Sequence, residues 1–259
     1  MELITSAQNS KIKRLLALQQ KSGERRASGL FVVEGRRELK HCLDAGLQPD
    51  TLFLCPEIAG KDFPLPDCRT FLVSPDLYAR IAYRGSTEGV MALIRTRSRS
   101  LADLSLPASP LIMVLEGVEK PGNLGAVLRS ADAAQADAVI VCDPLTDLYN
   151  PNLIRSSLGA IFTVPCVACS SGECIRFLKG RGIRILTAQL QDSHLYYDMD
   201  MRCPTALVMG TEATGLTQSW REAAHAHIRI PMNGQLDSLN VSVSAAILLF
   251  EAVRQRQGG

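Results

Sequence analysis

A chain of 259 residues exceeds the commonest single-domain length. Its 46% hydrophobic content supports a sizeable core, which must be mostly aliphatic because aromatics supply only 5%. A formal net charge of +2 excludes an overall polycation, so any nucleic-acid contact has to come from local clustering of basic residues. No apolar run reaches membrane-spanning length and no leader pattern opens the sequence, so a cytoplasmic protein with no membrane association is expected.

The first elements alternate. A helix capped by Asn9 or Ser10 carries Ile12, Leu15, Leu16 and Gln19 at helical spacing. Its other face presents Lys11, Lys13, Arg14 and Lys21, and Arg25 and Arg26 follow. That cluster fits a phosphate-binding face, and it equally fits an ordinary solvated helix. Strands are expected at 30–33, 51–54, 70–73 and 90–94, with a helix over 36–45 that Gly46 ends. Residues 1–98 therefore read as a small α/β sandwich domain. The Pro- and Ser-containing stretch 99–110 reads as a linker, leaving 111–259 as a second domain.

The second domain is the more regular. Short apolar strands at 111–115, 138–142, 161–167, 183–188, 205–209 and 227–231 alternate with helices at 125–134, 151–158, 174–179, 217–224 and 241–256. That pattern predicts a parallel sheet covered on both faces. Cys166 and Cys169 form a C-x-x-C near Cys174. No histidine or second pair completes a metal set, so these read as small core residues and no metal is expected.

Parallel sheets bind ligands in the loops beyond the carboxyl ends of their strands. Three such loops are rich in glycine and polar residues. The first, 116–129, lacks both the phosphate-loop and the dinucleotide glycine patterns, which disfavours a nucleotide triphosphatase or a nicotinamide enzyme. It places Asn123 at a helix start, where it could be only a cap, and Arg129 six residues on, where it could be only a surface charge. The second loop, Gly210-Thr211-Glu212-Ala213-Thr214-Gly215-Leu216, flanks a carboxylate with glycines. The third runs from Ile230-Pro231-Met232 to Ser238-Leu239-Asn240-Val241-Ser242 and enters the last helix, with more polar residues than capping needs.

Together these loops resemble the three motifs of the SpoU/TrmH family of RNA ribose methyltransferases: Asn123, Gly125 and Arg129; then 210–216; then 230–232 with 238–242. The stretch Asn150-Pro151, Arg155, Ser157, Gly159-Ala160 is similar to another family segment, and 31–39 (Phe-Val-Val-Glu-Gly-Arg-Arg-Glu-Leu) to the RNA-binding substrate domain of many members. Lys120 and Ala213 depart from residues common in the family. The resemblance implies a parallel-sheet SPOUT domain with a deep trefoil knot, behind a small ribosomal-protein-like α/β sandwich. It implies S-adenosyl-L-methionine as cofactor, RNA as partner (ribosomal favoured, transfer RNA possible) and a homodimer with the active site near the interface. It assigns the chemistry to Asn123, Arg129, Glu212, Ser238 and Asn240. The cofactor falls to Thr187, Ala188, Gln189, Met209, Gly210, Ile230, Met232 and Leu239. RNA contacts fall to Lys11, Lys13, Arg14, Arg25, Arg26 and Arg155. Arg129 is either the base for the 2'-hydroxyl or the group that positions it. A member that has lost its chemistry and only binds RNA is the competing expectation.

Overall fold

The computed structural model describes residues 1–60, 62–83, 88–211 and 214–257. They form two compact units, Met1–Ser98 with Asp147–Thr163, and Arg99–Thr146 with Val164–Gly259.

The first unit begins with β1 (Glu2–Ile4) and α1 (Ser10–Gln20). The Asn9 side chain caps α1 by accepting from the Lys11 N–H at 2.9 Å. A further helix, α2 (Ser22–Ser28), follows at once and stops at Gly29, whose φ of +63° suits a residue without a Cβ. Then come β2 (Leu30–Glu34), α3 (Arg36–Asp44), β3 (Pro49–Leu54), α4 (Pro56–Ala59), β4 (Arg69–Val73), α5 (Pro75–Ile81) and β5 (Val90–Arg95). The sheet order is β1-β4-β3-β5-β2, parallel across β1, β4 and β3 and antiparallel at β5.

The alternation of β2 explains why this unit recruits residues 147–163. Leu30 and Val32 join the core formed with Ile12, Leu15 and Tyr78. Phe31, on the opposite face of the strand, is fully buried and stacks on Tyr149 (4.3 Å) and Phe162 (5.9 Å).

The second unit carries the 3-10 turn Leu101–Asp103, β6 (Leu111–Glu116), α6 (Pro121–Ala133) and β7 (Ala138–Cys142). Leu104 is buried and Leu101 and Leu106 pack on this core, so the expected linker is an integral part of the unit. The chain next supplies α7 (Pro151–Ser156) and α8 (Ala160–Thr163) to the first unit. It continues through β8 (Cys166–Cys169), α9 (Ser171–Gly180), β9 (Arg184–Ala188), β10 (His194–Leu195), β11 (Thr205–Met209), α10 (Gln218–Ala223), β12 (Ala226–Arg229) and α11 (Val241–Gln257). The expected strand over 161–167 is therefore a short helix followed by a strand that starts at Cys166. A brief apolar run has no period that separates the two, and Gly159, at φ +85°, redirects the chain before it.

All seven strands are parallel, in the order β10-β12-β9-β11-β6-β7-β8. Strands β6, β7 and β11 are buried along their whole length, as a sheet covered on both faces demands. Helices α6 and α11 pack side by side.

Candidate active site

Beyond the carboxyl ends of β9, β11 and β12, the segment 188–191 and the second and third loops enclose a cavity of about 700 Å³. Met209, Ile228, Ile230, Met232, Leu239 and Leu248 give it apolar walls, and Gln189, Arg221, Asp237, Ser238 and Asn240 add polar groups. The second loop is shaped by its own backbone. Thr211 and Gly215 exchange N–H···O bonds at 3.3 and 3.1 Å, folding the chain back over Gly210. A Cβ at Gly210 would lie 2.3 Å from the carbonyl of Gly215, and Gly215 itself has φ +67°. Both glycines are thus required by the hairpin-like turn rather than by direct approach to a ligand.

The first and third loops meet through one side chain. Helix α6 begins at Pro121, a favourable first helical residue, so Asn123 lies inside the first turn and is not the cap. Asn240 is the residue that caps α11. Its Oδ1 accepts from the Ser242 N–H at 3.0 Å and from the Ser242 hydroxyl at 2.6 Å. Its Nδ2 donates to Asn123 Oδ1 at 3.2 Å. One amide therefore starts the last helix and ties it to α6, with the donor and acceptor ends assigned by their partners.

Two polar atoms in the cavity wall are buried and unpaired among the described residues: Gln189 Oε1, an acceptor, and Arg221 Nε, a donor. Such orphans are costly in a closed protein and are what a bound polar ligand would satisfy. S-adenosylmethionine fits this set. Its adenine suits the Met- and Ile-lined wall, and its polar edges suit the unpaired acceptor and donor.

Beneath the second loop is a residue that sequence reading missed. Glu116, the last residue of β6, is buried. It accepts from the Thr217 N–H at 2.8 Å, from the Thr217 hydroxyl at 2.7 Å and from Ser171 Oγ at 3.1 Å. Ser171 also lies 2.5 Å from Asp143 Oδ2 and accepts from the Trp220 indole at 3.0 Å. This network fixes the exit of the loop into α10. The only sequence signal was a charged residue closing an apolar strand.

Ala188, Gln189, Met209, Gly210, Ile230, Met232, Leu239, Ser238 and Asn240 all line the cavity. Thr187 does not. It is fully buried, its hydroxyl 2.6 Å from His227 Nδ1 on the paired strand, because the strand's alternation turns it away. Arg129 is exposed on α6, outside the cavity lining. Glu212 and Ala213 lie outside the described residues.

The basic residues divide as well. Lys13, Arg14 and Arg26 are exposed. Lys11 pairs with Glu2 at 2.9 Å and stands over the Phe71 ring. The expected contact at Arg25 is corrected. Helix α2 turns it inward, where Nε meets Asp147 at 2.6 Å and Nη1 donates to the Leu18 carbonyl at 2.6 Å, so it is a structural cation. Arg155 is half-buried in a small pocket of the first unit beside Glu34, whose carboxyl burial pushes above the usual range.

With these motifs assembled on a parallel sheet, the profile of the SpoU rRNA Methylase family matches residues 110–250, and that of the MRM3-like substrate binding domain matches 9–92. The chain belongs to the SpoU rRNA methylase family. It is 28% identical over 251 residues to the 23S rRNA (guanosine(2553)-2'-O)-methyltransferase RlmP of Bacillus subtilis (strain 168), covering 96% of this chain and 98% of that one. It is 38% identical over 181 residues to the 23S rRNA (guanosine-2'-O-)-methyltransferase RlmB of Vibrio vulnificus (strain CMCP6), covering 68% of this chain and 73% of that one. The crystal structure of the SpoU methyltransferase AviRb from Streptomyces viridochromogenes in complex with AdoMet superposes with a TM-score of 0.89 at 28% identity, over 97% of this chain and 100% of that one.

Proposed function

We propose that this chain is an enzyme that transfers a methyl group from S-adenosylmethionine to a ribose 2'-hydroxyl of ribosomal RNA. The observation that carries the reading is the cavity beyond β9, β11 and β12, with Asn240 bonded to Asn123 at its edge. Relatives named as 23S rRNA 2'-O-methyltransferases, and the match of the front residues to a substrate-binding domain, favour ribosomal over transfer RNA.

Met209, Ile230, Met232 and Leu239 would hold the adenine and ribose, with Ala188 and Gln189 closing one side. S-adenosylmethionine supplies, when bound, an activated methyl group on a sulfonium leaving group, so no metal is needed for the transfer. The ribose 2'-oxygen would take the methyl group with the sulfonium leaving as a neutral thioether, and the hydroxyl proton would pass to solvent. Arg129 positions that hydroxyl and stabilises charge developing on its oxygen, a role that suits a guanidinium better than proton abstraction does. Asn123, anchored by Asn240, orients the ribose. Ser238 lies on the same wall, and Glu212 is read as the carboxylate that steadies Arg129.

Because Arg129 is exposed and outside the cavity lining, a second copy of the chain is part of the proposed site. Over residues 241–250, α11 carries no polar side chain but Ser242 and Ser244, yet Val243 and Phe250 are about half exposed, at 47% and 48%. A helix of that kind is expected to be covered. A homodimer contact on this face would complete the site near the interface. Lys13, Arg14 and Arg26 are read as RNA contacts on the ribosomal-protein-like front domain (residues 1–98). The parallel sheet is of the kind in which the family resemblance implies a threaded trefoil knot. No helix among the described residues is long and apolar enough to cross a membrane, and work on ribosomal RNA fits the cytoplasm.

Mapping ribose methylation across total RNA with and without the protein tests the reading, alongside calorimetry with S-adenosylmethionine. A single protein-dependent site in ribosomal RNA is expected. Cofactor binding without any such site would favour another RNA, and no cofactor binding would favour the purely RNA-binding alternative. Arg129→Ala is expected to slow single-turnover transfer by at least roughly 100-fold, with cofactor affinity nearly unchanged. Loss of cofactor binding would remove Arg129 from the chemistry.

A further inference from the structure

At the same carboxyl edge of the second unit's sheet, but on its outer strands β7 and β8, three thiols converge. Cys142 ends β7, Cys169 ends β8 directly opposite it in the strand register, and Cys174 is the fourth residue of α9. Their three sulfurs all lie within 4.8 Å of one another. Cys142 and Cys174 are completely buried and Cys169 is half-buried. Among the described residues no other three His, Cys, Asp or Glu side chains converge in this way. The C-x-x-C that the sequence displays is not the pair that matters, since Cys166 is not part of the group.

We infer that Cys142, Cys169 and Cys174 form a binding site for a thiophilic closed-shell cation, with zinc(II) the ion of first choice. Sulfurs around zinc at a bond length of about 2.3 Å stand roughly 3.8 Å apart in a tetrahedron. The trio therefore needs at most about 1 Å of closure. Soft thiolates select zinc or copper(I) over hard cations. Three protein ligands leave a fourth position, which solvent fills on the side where Cys169 is partly exposed.

The backbone that carries the thiols is braced independently of any ion. The Asp143 N–H donates to the Cys169 carbonyl at 2.9 Å, and the Cys174 N–H to Ser170 at 3.0 Å. The Asp143 carboxylate accepts from the Ser171 N–H at 3.1 Å. The ligands are thus presented by three elements already held together. On binding, three S–H protons pass to solvent and three sulfur–metal bonds form. The site clips edge strand β8 to β7 and α9. The Gly117 N–H, which donates to the Cys142 carbonyl at 2.9 Å, links it to the loop that leads to Asn123. The inference rests on this geometry and holds whether or not the methyl-transfer reading does.

The test uses the full chain, reduced and stripped with a chelator, then titrated with zinc(II) against a chromophoric chelator. One equivalent of zinc is expected, together with a higher melting temperature in zinc and a thiolate-to-metal charge-transfer band with cadmium(II). Cys169→Ser and, separately, Cys174→Ala lose the equivalent, the band and the melting shift, while Cys166→Ser keeps all three. The proposal is overturned if the reduced wild type takes up no zinc. It is also overturned if Cys169→Ser, still melting cooperatively, binds as much as the wild type. A Cys142–Cys169 disulfide in the isolated protein with no zinc uptake after reduction would likewise overturn it.

Discussion

The two halves of the second unit's sheet end differently at the same carboxyl edge. Beyond β9, β11 and β12, residues 233–240 are all exposed, and Gln189 Oε1 and Arg221 Nε are buried without partners among the described residues. Beyond β6, β7 and β8, the strand ends are closed: Glu116 has three hydrogen-bond donors and Ser171 joins Glu116, Asp143 and Trp220. The rule that parallel sheets bind at this edge applies to both halves equally. Polar satisfaction is what separates them. Among the described residues, the half with orphaned polar groups fits an organic ligand, while the half whose carboxylates and hydroxyls are paired is braced internally and offers only thiols, Cys142, Cys169 and Cys174, to a metal ion.

Three changes would break or sharpen that contrast. The largest effect is expected from Gly210→Ala on the open half. The added Cβ would lie 2.3 Å from Gly215, and the turn over the cavity cannot form. Calorimetry should show cofactor affinity falling by roughly 100-fold or more, about 2.7 kcal/mol, with little change in melting temperature. Unchanged affinity would mean that the turn does not shape the cofactor site.

On the closed half, Glu116→Ala should invert the pattern. It strands the Thr217 N–H and hydroxyl in a buried place, at a cost of about 2–4 kcal/mol in urea denaturation. Cofactor affinity should fall by less than about tenfold, and Glu116→Gln, which keeps an acceptor, should recover part of the stability. An affinity loss larger than the stability loss would make Glu116 part of the binding site itself.

The smallest effect concerns Glu34 in the first unit, whose Oε1 is buried and unpaired among the described residues. Burial raises its folded pKa above 4.5. Its favourable contribution is therefore complete below pH 4.5 and is lost as pH rises through the folded value. Glu34→Gln should raise the urea midpoint slightly at neutral pH, and the difference should vanish near pH 4. A lower midpoint at neutral pH would show that an ionised Glu34 is needed, for instance by Arg155, whose charge opposes the shift.

The sequence was most legible where burial is two-sided. The apolar runs over 111–115 and 205–209 could hardly be anything but inner strands, and they are β6 and β11. It misled where an apolar run served a different face: Ile161 and Phe162 are buried in a short helix that completes the first unit. In the site, the family resemblance named most of the residues that line the cavity, because loop motifs are local. It misplaced Thr187, whose direction depends on strand alternation, and Arg25, whose partner Asp147 is 122 residues away. Glu116 was invisible for the same reason, since Thr217 lies 101 residues further on.

The aromatic stack of Phe31 with Tyr149 and Phe162 has an evolutionary side. It makes the front hundred residues a poor cassette. A gene fragment ending at Ser98 would leave Phe31 bare on the outer face of an edge strand, an invitation to aggregate. A graft of another front module would meet aromatics shaped for this one. Single residues of the front unit are thus free to drift, while wholesale shuffling requires residues 147–163 to travel too.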